Sequence, residues 1–327
     1  MHDPFTVVTG AGGFIGGHLA EALHRQGVRL RLVDLKPLDR WHQPPPPGAD
    51  AFAADLRELT ACRRAAAGAG AIYNLAADMG GMGFIETHKT ACMLNVLINT
   101  HLLMAAQEAG VRRFFFASSA CVYAADKQLA PDIPPLREGD AYPAMPEDGY
   151  GWEKLFSERL CRHYLEDHGI ATRVARYHNV YGAHETFEGG REKAPAAICR
   201  KIAEAKLTGR PDIEIWGDGE QTRSFTYIDD CLRGTQLVMD GPHAEPVNVG
   251  STEMVTINQL VSLVEEIAGV KMKRAYNLTA PRGVRGRNSD NTLIAARYGW
   301  QPATPLRHGL EVLYRWIYDQ LAARRHA

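Results

Sequence analysis

A tyrosine and a lysine near the middle of the chain have a spacing that suits proton transfer. Tyr150 and Lys154 are four residues apart in a segment with helical patterning, so both side chains project from one face. A phenol with a pKa of about 10 is a poor base at neutral pH, and lowering that pKa by about 3 units takes about 4 kcal/mol. One ammonium about 4 Å away in an effective dielectric of about 20 supplies roughly that amount. The pair is therefore predicted to take the proton of an alcohol while a hydride leaves the same carbon.

Two serines and a cysteine precede this pair. Ser118 and Ser119 follow the apolar run 114–117, which predicts a buried strand, and ligands of open α/β sheets bind where such strands end. Cys121 is not required for hydride transfer, so we expect it to move a different proton. Its ordinary pKa of about 8.5 leaves only a few per cent thiolate at neutral pH, and a nearby cation would increase that fraction.

An alternation of strand-like and helix-like segments is predicted to position these groups. Helical spacing of apolar residues marks segments 14–26, 93–109 and 150–168. The predicted strands are 6–9, 30–33, 71–75, 114–117 and 172–175. Such alternation specifies a parallel sheet with helices on both faces, so the predicted fold class is α/β with a Rossmann-type doubly wound sheet.

The alternation becomes irregular after residue 177. Turn-rich stretches then recur near Gly189, Gly217 and Gly283. A smaller C-terminal substrate-binding domain would produce this pattern, with some of its segments returning to the main sheet. We therefore expect residues 1–177 to form mainly a nucleotide-binding domain and residues 178–327 mainly a substrate-binding domain.

A glycine-rich loop lies between the first predicted strand and the first predicted helix. Missing side chains permit a tight turn and the close approach of a pyrophosphate, which meets the free N–H groups of the helix. Asp34 ends the second strand, where a carboxylate accepts hydrogen bonds from a ribose and repels a 2′-phosphate. The chain is therefore predicted to bind NAD rather than NADP. The predicted contacts in the loop are Gly10, Gly13, Phe14, Ile15 and Gly16.

Asp55 and Leu56 follow a further short strand. A carboxylate at this point can reach the adenine amino group of a dinucleotide. Asp55 is equally well placed to cap the next helix. Both interpretations stay open, with Asp55 and Leu56 as candidate adenine contacts.

Composition and charge exclude several classes of partner. A net charge of -1 and a pI of about 6.9 provide no field that attracts nucleic acid or an anionic membrane. The six cysteines include no Cys-x-x-Cys pair, which argues against a zinc ribbon and a disulfide framework, and the 13 histidines show no metal-binding spacing. Neither a signal segment nor an apolar stretch long enough to cross a bilayer is recognisable. We expect a cytoplasmic protein that binds no metal.

The glycine loop, the paired serines and the spacing of Tyr150 and Lys154 resemble the extended short-chain dehydrogenase/reductase family, which includes nucleotide-sugar epimerases and dehydratases. The resemblance covers nearly the whole chain. It implies that the tyrosine removes a hydroxyl proton, while the lysine holds the nicotinamide ribose and lowers the tyrosine pKa. It implies a catalytic serine, here Ser119, with Ser118 as a substrate contact. It also places Ala76 at the cofactor and implies a homodimer.

Longer segments are similar to one branch of that family, the GDP-mannose 3,5-epimerases. They are residues 74–84, 118–123, 189–197 and 283–291. In this branch, the positions of Cys121 and Lys193 form the acid/base pair that exchanges protons at sugar carbons. The resemblance also favours a substrate role for the loop of Gly80 and Met82 over an ordinary flexible turn.

Transient oxidation explains why redox and proton-transfer groups occur together. A ketone at C4 of a hexose makes the hydrogens at C3 and C5 removable, and an acid and a base on opposite faces then invert each carbon. Reduction at C4 completes the reaction without net oxidation. Lys193 is also a candidate for the cation beside Cys121. The implied reaction converts GDP-mannose to GDP-L-galactose, GDP-L-gulose or both.

Basic and polar side chains in the C-terminal half are candidates for holding the substrate. Guanidinium groups match phosphate oxygens in geometry, so arginines are the strongest candidates for a diphosphate. Asn179 is a candidate for hydrogen bonding to a sugar or phosphate oxygen. The diphosphate candidates are Lys201, Arg223, Arg285 and Arg287.

Three alternative functions stay open. A 4,6-dehydratase uses an acidic pair after the serines, where this chain has Ala120 and Cys121. A 4-epimerase needs only Tyr150, Lys154 and a serine, and Cys121 would then be a buried packing residue. A non-catalytic NAD-binding sensor would have no need for the tyrosine-lysine pair. Segments beside two of the similar stretches differ from the plant members of the branch, which leaves the exact sugar open.

Overall fold

A computed structural model describes residues 4–281 and 283–326. In chain order its strands are β1 (Phe5–Thr9), β2 (Leu30–Asp34), β3 (Asp50–Ala53), β4 (Ala69–Asn74), β5 (Arg113–Ser119), β6 (Ala171–Tyr177), β7 (Val180–Tyr181), β8 (Asp212–Trp216), β9 (Thr222–Ser224), β10 (Thr226–Tyr227), β11 (Val247–Val249), β12 (Met254–Thr256), β13 (Lys273–Asn277) and β14 (Gly286–Arg287). Its α-helices are α1 (Phe14–Arg25), α2 (Leu59–Ala66), α3 (Met82–Thr87), α4 (Lys89–Met93), α5 (Asn95–Glu108), α6 (Asp148–His168), α7 (Ala194–Thr208), α8 (Ile228–Asp240), α9 (Ile257–Ala268), α10 (Thr292–Tyr298) and α11 (Leu306–His326). Within these described ranges, no helix has both the length and the apolar character of a membrane span.

Seven of the strands form one sheet in the order β11, β6, β5, β4, β1, β2, β3. Every neighbouring pair in this sheet is parallel. The chain builds outward from β1 to β3 and then, from β4, outward on the other side, so the strand order reverses beside β1. The predicted Rossmann-type α/β class is confirmed. The reversal creates a crevice at the carboxyl ends of β1 and β4, where open α/β sheets bind ligands.

Helices cover both faces of this sheet. One core lies between the sheet and helices α1, α8 and α10 and includes Val8 and Leu19. The other lies between the sheet and helices α2, α5 and α6 and includes Val7 and Leu102. Because consecutive strand residues point to opposite faces, the apolar run at the start of the chain supplies both cores.

A further hydrophobic core lies outside the sheet. It is formed by α7, α9, α11 and β8 and buries Cys199, Ile202, Val261 and Leu313. Short sheets border this part of the chain, with β10 beside β7, β13 beside β8, and β9 between β12 and β14. The chain nevertheless returns to the main sheet, because β11 pairs with β6. The domain division after residue 177 stays a prediction, and β11 is one segment that returns.

One predicted helix is divided in the structure. Segment 93–109 contains the end of α4 and the whole of α5, which meet at Leu94. Leu94 keeps right-handed backbone angles, with φ of -67° and ψ of -10°. The apolar spacing continues through this bend, so the sequence pattern alone does not reveal it.

The carboxyl end of β5 is joined closely to the start of α6. After Ser119 the chain forms a one-turn 3-10 helix, Ala120–Val122, in which the Cys121 carbonyl accepts a hydrogen bond from the Glu147 N–H at 2.9 Å. Gly151 lies against the same carbonyl, since a Cβ at this position would be 2.3 Å from its oxygen. Only glycine allows α6 to approach the end of β5 this closely.

Replacing Gly151 with alanine is expected to destabilise the protein by about 1–3 kcal/mol, because the added methyl group must displace the Cys121 carbonyl. Gly139→Ala is the matched control, since a Cβ at Gly139 meets no atom within 4 Å. Its effect is expected to stay within about 0.5 kcal/mol. Urea unfolding followed by circular dichroism measures both free energies. Equal free energies of unfolding for the two variants would show that the close approach is not a constraint.

Candidate active site

The glycine loop makes a tight turn between β1 and α1. Gly10 has a φ of +70°, and a Cβ there would lie 2.9 Å from the Leu75 carbonyl carbon. A Cβ at Gly16 would lie 2.1 Å from the Gly10 oxygen, which also accepts the Gly13 N–H at 3.0 Å. The first turn of α1 contains no side-chain cap and no acidic residue. These features fit a pyrophosphate at the helix N-terminus, while contacts from the first two residues of α1 stay predictions.

Asp34 lies at the end of β2 beside this loop. Its carboxylate accepts hydrogen bonds from the Gly12 N–H at 3.0 Å and the Lys36 N–H at 2.9 Å. The Lys36 ammonium donates to the Gly12 carbonyl at 3.1 Å, and burial lowers its pKa. Backbone donors therefore orient the carboxylate at the loop. This arrangement fits a ribose with free hydroxyl groups.

The other predicted cofactor contacts have different surroundings. The Arg57 guanidinium binds the Asp55 carboxylate at 2.6 Å, and this hydrogen bonding lowers the Asp55 pKa. Glu58, not Asp55, is the N-cap residue of α2, so the alternative role of Asp55 as that cap is wrong. Leu56 is buried in the core, and any contact with a ligand must come from its backbone. Ala76 lies beside the glycine loop.

Tyr150 and Lys154 lie on α6 next to Ser119. The Lys154 Nζ is 5.5 Å from the centre of the Tyr150 ring and 3.7 Å from Glu153 Oε2. Burial, with the charges of Cys121 and Glu153, raises the Tyr150 pKa well above its usual value, and a hydrogen bond with Ser119 lowers it. The hydrogen bond with Ser119 thus has the lowering effect that the spacing of the pair predicts for Lys154, and the Lys154 ammonium lies beside the Glu153 carboxylate.

Ser118 contacts a different group from Ser119. Its hydroxyl donates to Glu158 Oε1 at 2.5 Å. Arg176 binds the same carboxylate through Nε at 2.9 Å and Nη2 at 2.7 Å, and all three side chains are buried. These bonds occupy the Ser118 hydroxyl within the protein. The predicted substrate contact is therefore not supported for Ser118, and Ser119 is the serine that acts on the tyrosine.

Cys121 is buried between the start of α6 and β14. Its Sγ lies 3.6 Å from Arg287 Nη1, and its N–H donates to Ser119 Oγ at 3.2 Å. Arg287 also forms a 2.7 Å ion pair with Glu147 and donates to Gln128 Oε1 at 2.8 Å. Burial and the Glu147 charge raise the thiol pKa to about 11, although Arg287 lowers it. Cys121 is therefore protonated at neutral pH.

Lys193 occupies the N-cap position of α7. Its charge acts on the buried carboxyl group of Glu185. Burial raises the Glu185 pKa, and although the Lys193 charge opposes this rise, the pKa stands at about 8. Glu185 Oε1 also accepts the Gly182 N–H at 3.3 Å. The cation in contact with Cys121 is Arg287, which takes the place that the sequence argument gives to Lys193. A role for Lys193 in proton exchange stays a prediction.

The predicted substrate loop, which includes Gly80 and Met82, lies against the segment before α7. Gly81 donates its N–H to the Arg191 carbonyl at 2.9 Å. The Met82 side chain packs against Gly283, where a Cβ would lie 2.9 Å from the methionine methyl carbon. The loop therefore adjoins both the segment that carries the predicted acid/base lysine and the segment before β14.

The four cationic side chains predicted at a diphosphate fall into two groups. Arg223 and Arg287 are buried together, and burial and the Arg287 charge lower the Arg223 pKa to about 10. Arg285 instead pairs with Asp218 at 2.8 Å, and Lys201 donates to a β8 carbonyl at 2.8 Å. The three guanidinium nitrogens of Arg287 all contact protein groups, so its predicted diphosphate contact competes with these bonds.

Asn179 connects β6 to β7 in a left-handed conformation, with a φ of +44°. Its side-chain amide donates to the Ser224 carbonyl at 2.9 Å. This hydrogen bond stabilises the turn between the two strands. A contact between Asn179 and a sugar or phosphate oxygen stays a prediction.

All six cysteines are free and buried. Burial raises the pKa of Cys62 and Cys231 to about 12, whereas Cys121, with an arginine beside it, stands at about 11. In the described part of the chain, no group of three or more His, Cys, Asp or Glu side chains is placed to hold a metal ion.

Sequence reasoning missed three residues at the site. Glu147 and Gln128 hold the Arg287 guanidinium. Trp41 is buried against Gly12, where a Cβ would lie 2.6 Å from its ring. An acidic residue just before the predicted catalytic helix is the available signal for Glu147. The other two contacts join distant segments and leave no local pattern.

Plant proteins are similar to the chain over most of its length. GDP-mannose 3,5-epimerase 1 of Oryza sativa subsp. japonica is 45% identical over 320 residues, covering 96% of this chain and 82% of the relative. GDP-mannose 3,5-epimerase of Arabidopsis thaliana is 45% identical over 316 residues with the same coverage. GDP-L-fucose synthase 1 of Arabidopsis thaliana is 30% identical over 254 residues, or 76% of this chain and 77% of the relative.

Solved structures and a family profile agree with these relatives. A structure of MoeE5 in complex with UDP-glucose and NAD is 30% identical, with a TM-score of 0.77 over 97% of this chain and 99% of that chain. The UDP-glucose 4-epimerase of Thermotoga maritima, solved with UDP-glucose, shares the fold at 24% identity and a TM-score of 0.84, with the same coverage. The profile of the NAD dependent epimerase/dehydratase family matches residues 6–250. The chain therefore belongs to the NAD dependent epimerase/dehydratase family.

Proposed function

We propose that the chain is a GDP-mannose 3,5-epimerase that inverts C3 and C5 of the sugar and releases GDP-L-galactose, GDP-L-gulose or both. The observation that carries the proposal is the buried Cys121 thiol beside Ser119 and Tyr150, because hydride transfer at C4 alone needs no such acid. The plant relatives at 45% identity, which bear the name of this activity, support the same substrate.

Tyr150, Lys154 and Ser119 account for the redox part of the reaction. NAD is the cofactor of the family, and when bound it accepts a hydride from the substrate and later returns it. Tyr150 removes the proton of the C4 hydroxyl, Ser119 orients that hydroxyl, and Lys154 holds the nicotinamide ribose. The resulting C4 ketone makes the hydrogens on C3 and C5 acidic enough to be removed.

The nucleotide loop and Asp34 are proposed to hold the cofactor at the carboxyl edge of the sheet. The first turn of α1 would hold the pyrophosphate, since its N–H groups have no side-chain cap. Asp34 would accept hydrogen bonds from the adenosine ribose. Ala76 and the backbone of Leu56 would line the same crevice.

Cys121 and Lys193 are proposed to exchange the protons at C3 and C5. Inversion beside a ketone needs one group that removes a proton from one face and another that supplies a proton to the opposite face. The loop of Gly80 and Met82 adjoins the segment that carries Lys193, so it is suited to cover the sugar between these groups. Lys201 and Arg285 are the two diphosphate candidates whose side chains are partly exposed to solvent.

The contacts of Cys121 favour this function over its nearest alternatives. A 4,6-dehydratase needs an acidic pair after the serines, and the carboxylate that interacts with Cys121 at this position, Glu147, is engaged by Arg287. A 4-epimerase has no use for a thiol held against a buried arginine. A non-catalytic sensor has no use for Tyr150 held against Ser119 beside Lys154.

We further propose that the enzyme is a homodimer that pairs through α6. Trp152 and Phe156 are 48% and 54% exposed, although both are large and apolar. Each lies two residues after a member of the Tyr150 and Lys154 pair, which is about 200° around the helix and therefore on the opposite face. Met93, at the end of α4 beside α6, is 48% exposed and extends the same surface. An apolar surface of this kind is typical of a subunit interface.

We assign the enzyme to the reducing cytosol as part of the same proposal. A thiol that donates and accepts protons must stay reduced, and a reducing compartment keeps it so. All six cysteines are free, which fits that environment.

Incubation with GDP-mannose in deuterated water tests the proposed reaction. Deuterium is expected at both C3 and C5 of the recovered nucleotide sugars, because each carbon flanks the transient ketone. Nuclear magnetic resonance and mass spectrometry locate the label. Tyr150→Phe is the control, since without C4 oxidation no label should enter. The proposed function fails if the unmodified enzyme turns over GDP-mannose but labels neither carbon.

Cys121→Ser is expected to lose label incorporation by roughly 10²–10⁴-fold, the usual contribution of general acid–base catalysis. Hydride transfer should persist and be visible as a change in nicotinamide absorbance on addition of substrate. Cys62→Ser is the matched control, because Cys62 is equally buried but packs in the core behind the sheet. Full incorporation of label by the Cys121 variant would make its thiol a packing residue.

A Trp152→Glu, Phe156→Glu double variant is expected to be a monomer in sedimentation velocity, whereas the unmodified protein sediments as a dimer. The charges would be buried without partners at the proposed interface. Leu278→Glu is the control, because Leu278 is 62% exposed outside α6. Retention of the dimer in the double variant would place the interface elsewhere.

A further inference from the structure

Glu147 is connected to Cys121 in two ways. Its backbone N–H donates to the Cys121 carbonyl at 2.9 Å. Its carboxylate forms a 2.7 Å ion pair with Arg287 Nη2, while Arg287 Nη1 lies 3.6 Å from Cys121 Sγ. The Glu147 and Arg287 side chains are only 10% and 4% exposed. The three residues therefore form a closed and largely dehydrated ring.

Neighbouring elements hold this ring in place. Gln128 accepts a hydrogen bond from Arg287 Nε at 2.8 Å, and Ser119 accepts one from the Cys121 N–H at 3.2 Å. In the described part of the chain, the other titratable groups around the ring include Tyr150 of α6, Arg223 of β9, Cys92 of α4 and His178, which follows β6 and is affected by the Arg287 charge. The thiol therefore meets both positive and negative charge at close range.

The charges around the thiol are unequal. Arg223 and Arg287 bring two positive charges, and Glu147 brings one negative charge. The Glu147 carboxylate offsets the charge of Arg287, the guanidinium that contacts the sulfur. Without Glu147, Arg287 would act on Cys121 without this opposing carboxylate, and the thiolate would form more readily.

We propose that Glu147 is a positioning residue that keeps Cys121 protonated between turnovers and holds Arg287 against the sulfur. The inference rests on the proposed function and refines it, making Cys121 the acid and Lys193 the base of each inversion. Lys193 first releases its own proton to water and then takes the proton from one face of the carbon. The Cys121 proton passes to the opposite face, and the electron pair of the S–H bond stays on the sulfur beside Arg287. Exchange with water then restores both groups.

Glu147→Gln tests this role because it removes one negative charge with little change in shape. The midpoint of Cys121 thiolate formation is measured from the ultraviolet absorbance of the thiolate, as the difference between each protein and its Cys121→Ser derivative. Glu147 opposes the thiolate, so the midpoint is expected to fall by about 1 pH unit or more in the variant. The pH at which deuterium incorporation declines on the alkaline side should fall with it, because the thiol form is the donor.

Glu265→Gln is the matched control. Glu265 is also buried and pairs with an arginine, Arg274, at 2.9 Å, but it lies on α9 outside the site. Its loss should leave the Cys121 midpoint unchanged. Glu147→Asp and Glu147→Asn form a second pair with side chains of equal size, which carries the same test if Glu147→Gln does not fold. The Asn variant should show the lower midpoint of the two.

An unchanged midpoint in folded Glu147→Gln would overturn the inference. Equal midpoints in the Asp and Asn variants would do the same, since they would show that charge at this position does not act on the thiol. Failure of the proposed function looks different. In that case the unmodified enzyme puts no deuterium into GDP-mannose, while the thiolate titration still reports whether Glu147 acts on Cys121.

Discussion

The site depends on the hydrogen bond between the Cys121 carbonyl at the end of β5 and the Glu147 N–H at the start of α6. A buried carbonyl without a partner is costly, so this bond fixes how closely the helix meets the sheet. Gly151 permits the approach, because any side chain there would meet the same carbonyl. Tyr150, one residue earlier on the helix, is consequently held beside Ser119. The reacting groups therefore sit on backbone elements that are fixed before any substrate arrives, which is the condition for efficient positioning.

Buried ion pairs extend this order into the side chains. Glu158 binds both Arg176 and the Ser118 hydroxyl, so it fixes the end of β5. The hydroxyl of the next residue, Ser119, is the one that interacts with Tyr150. The pair of Glu147 and Arg287 likewise fixes the turn that follows β5. Buried pairs of this kind add little net stability, because desolvation offsets most of the attraction, but removing one partner leaves an uncompensated charge. Their main effect here is to give each functional side chain one position and one electrostatic environment.

Local patterns in the sequence predict the sheet, the glycine loop and the tyrosine-lysine helix, because each depends on residues within a few positions of one another. Long-range contacts are the part that such patterns miss. Arg287 and Cys121 are 166 residues apart, so their contact leaves no periodic signal, and the lysine at position 193 was the more natural partner on sequence grounds. Ser118 and Ser119 are equivalent as letters, and only the pleat of β5 with the position of Glu158 separates their roles. The sign of each side chain's charge is thus known from the sequence, whereas the partner that each side chain contacts is known only from the fold.

Mutual repulsion between Tyr150 and Cys121 orders the steps of the proposed reaction. Burial raises the pKa of both groups, and the charge of Cys121 raises the pKa of Tyr150 further, so two anions at once are disfavoured. Removal of the C4 hydroxyl proton needs the Tyr150 phenolate, which burial disfavours and which a thiolate at Cys121 would disfavour further. Cys121 must therefore carry its proton when C4 is oxidised and again when C4 is reduced. The hydrogens on C3 and C5 are removable only while C4 is a ketone, and in that interval Tyr150 holds the hydroxyl proton and is neutral, so the electrostatic cost of giving up the Cys121 proton is then lowest.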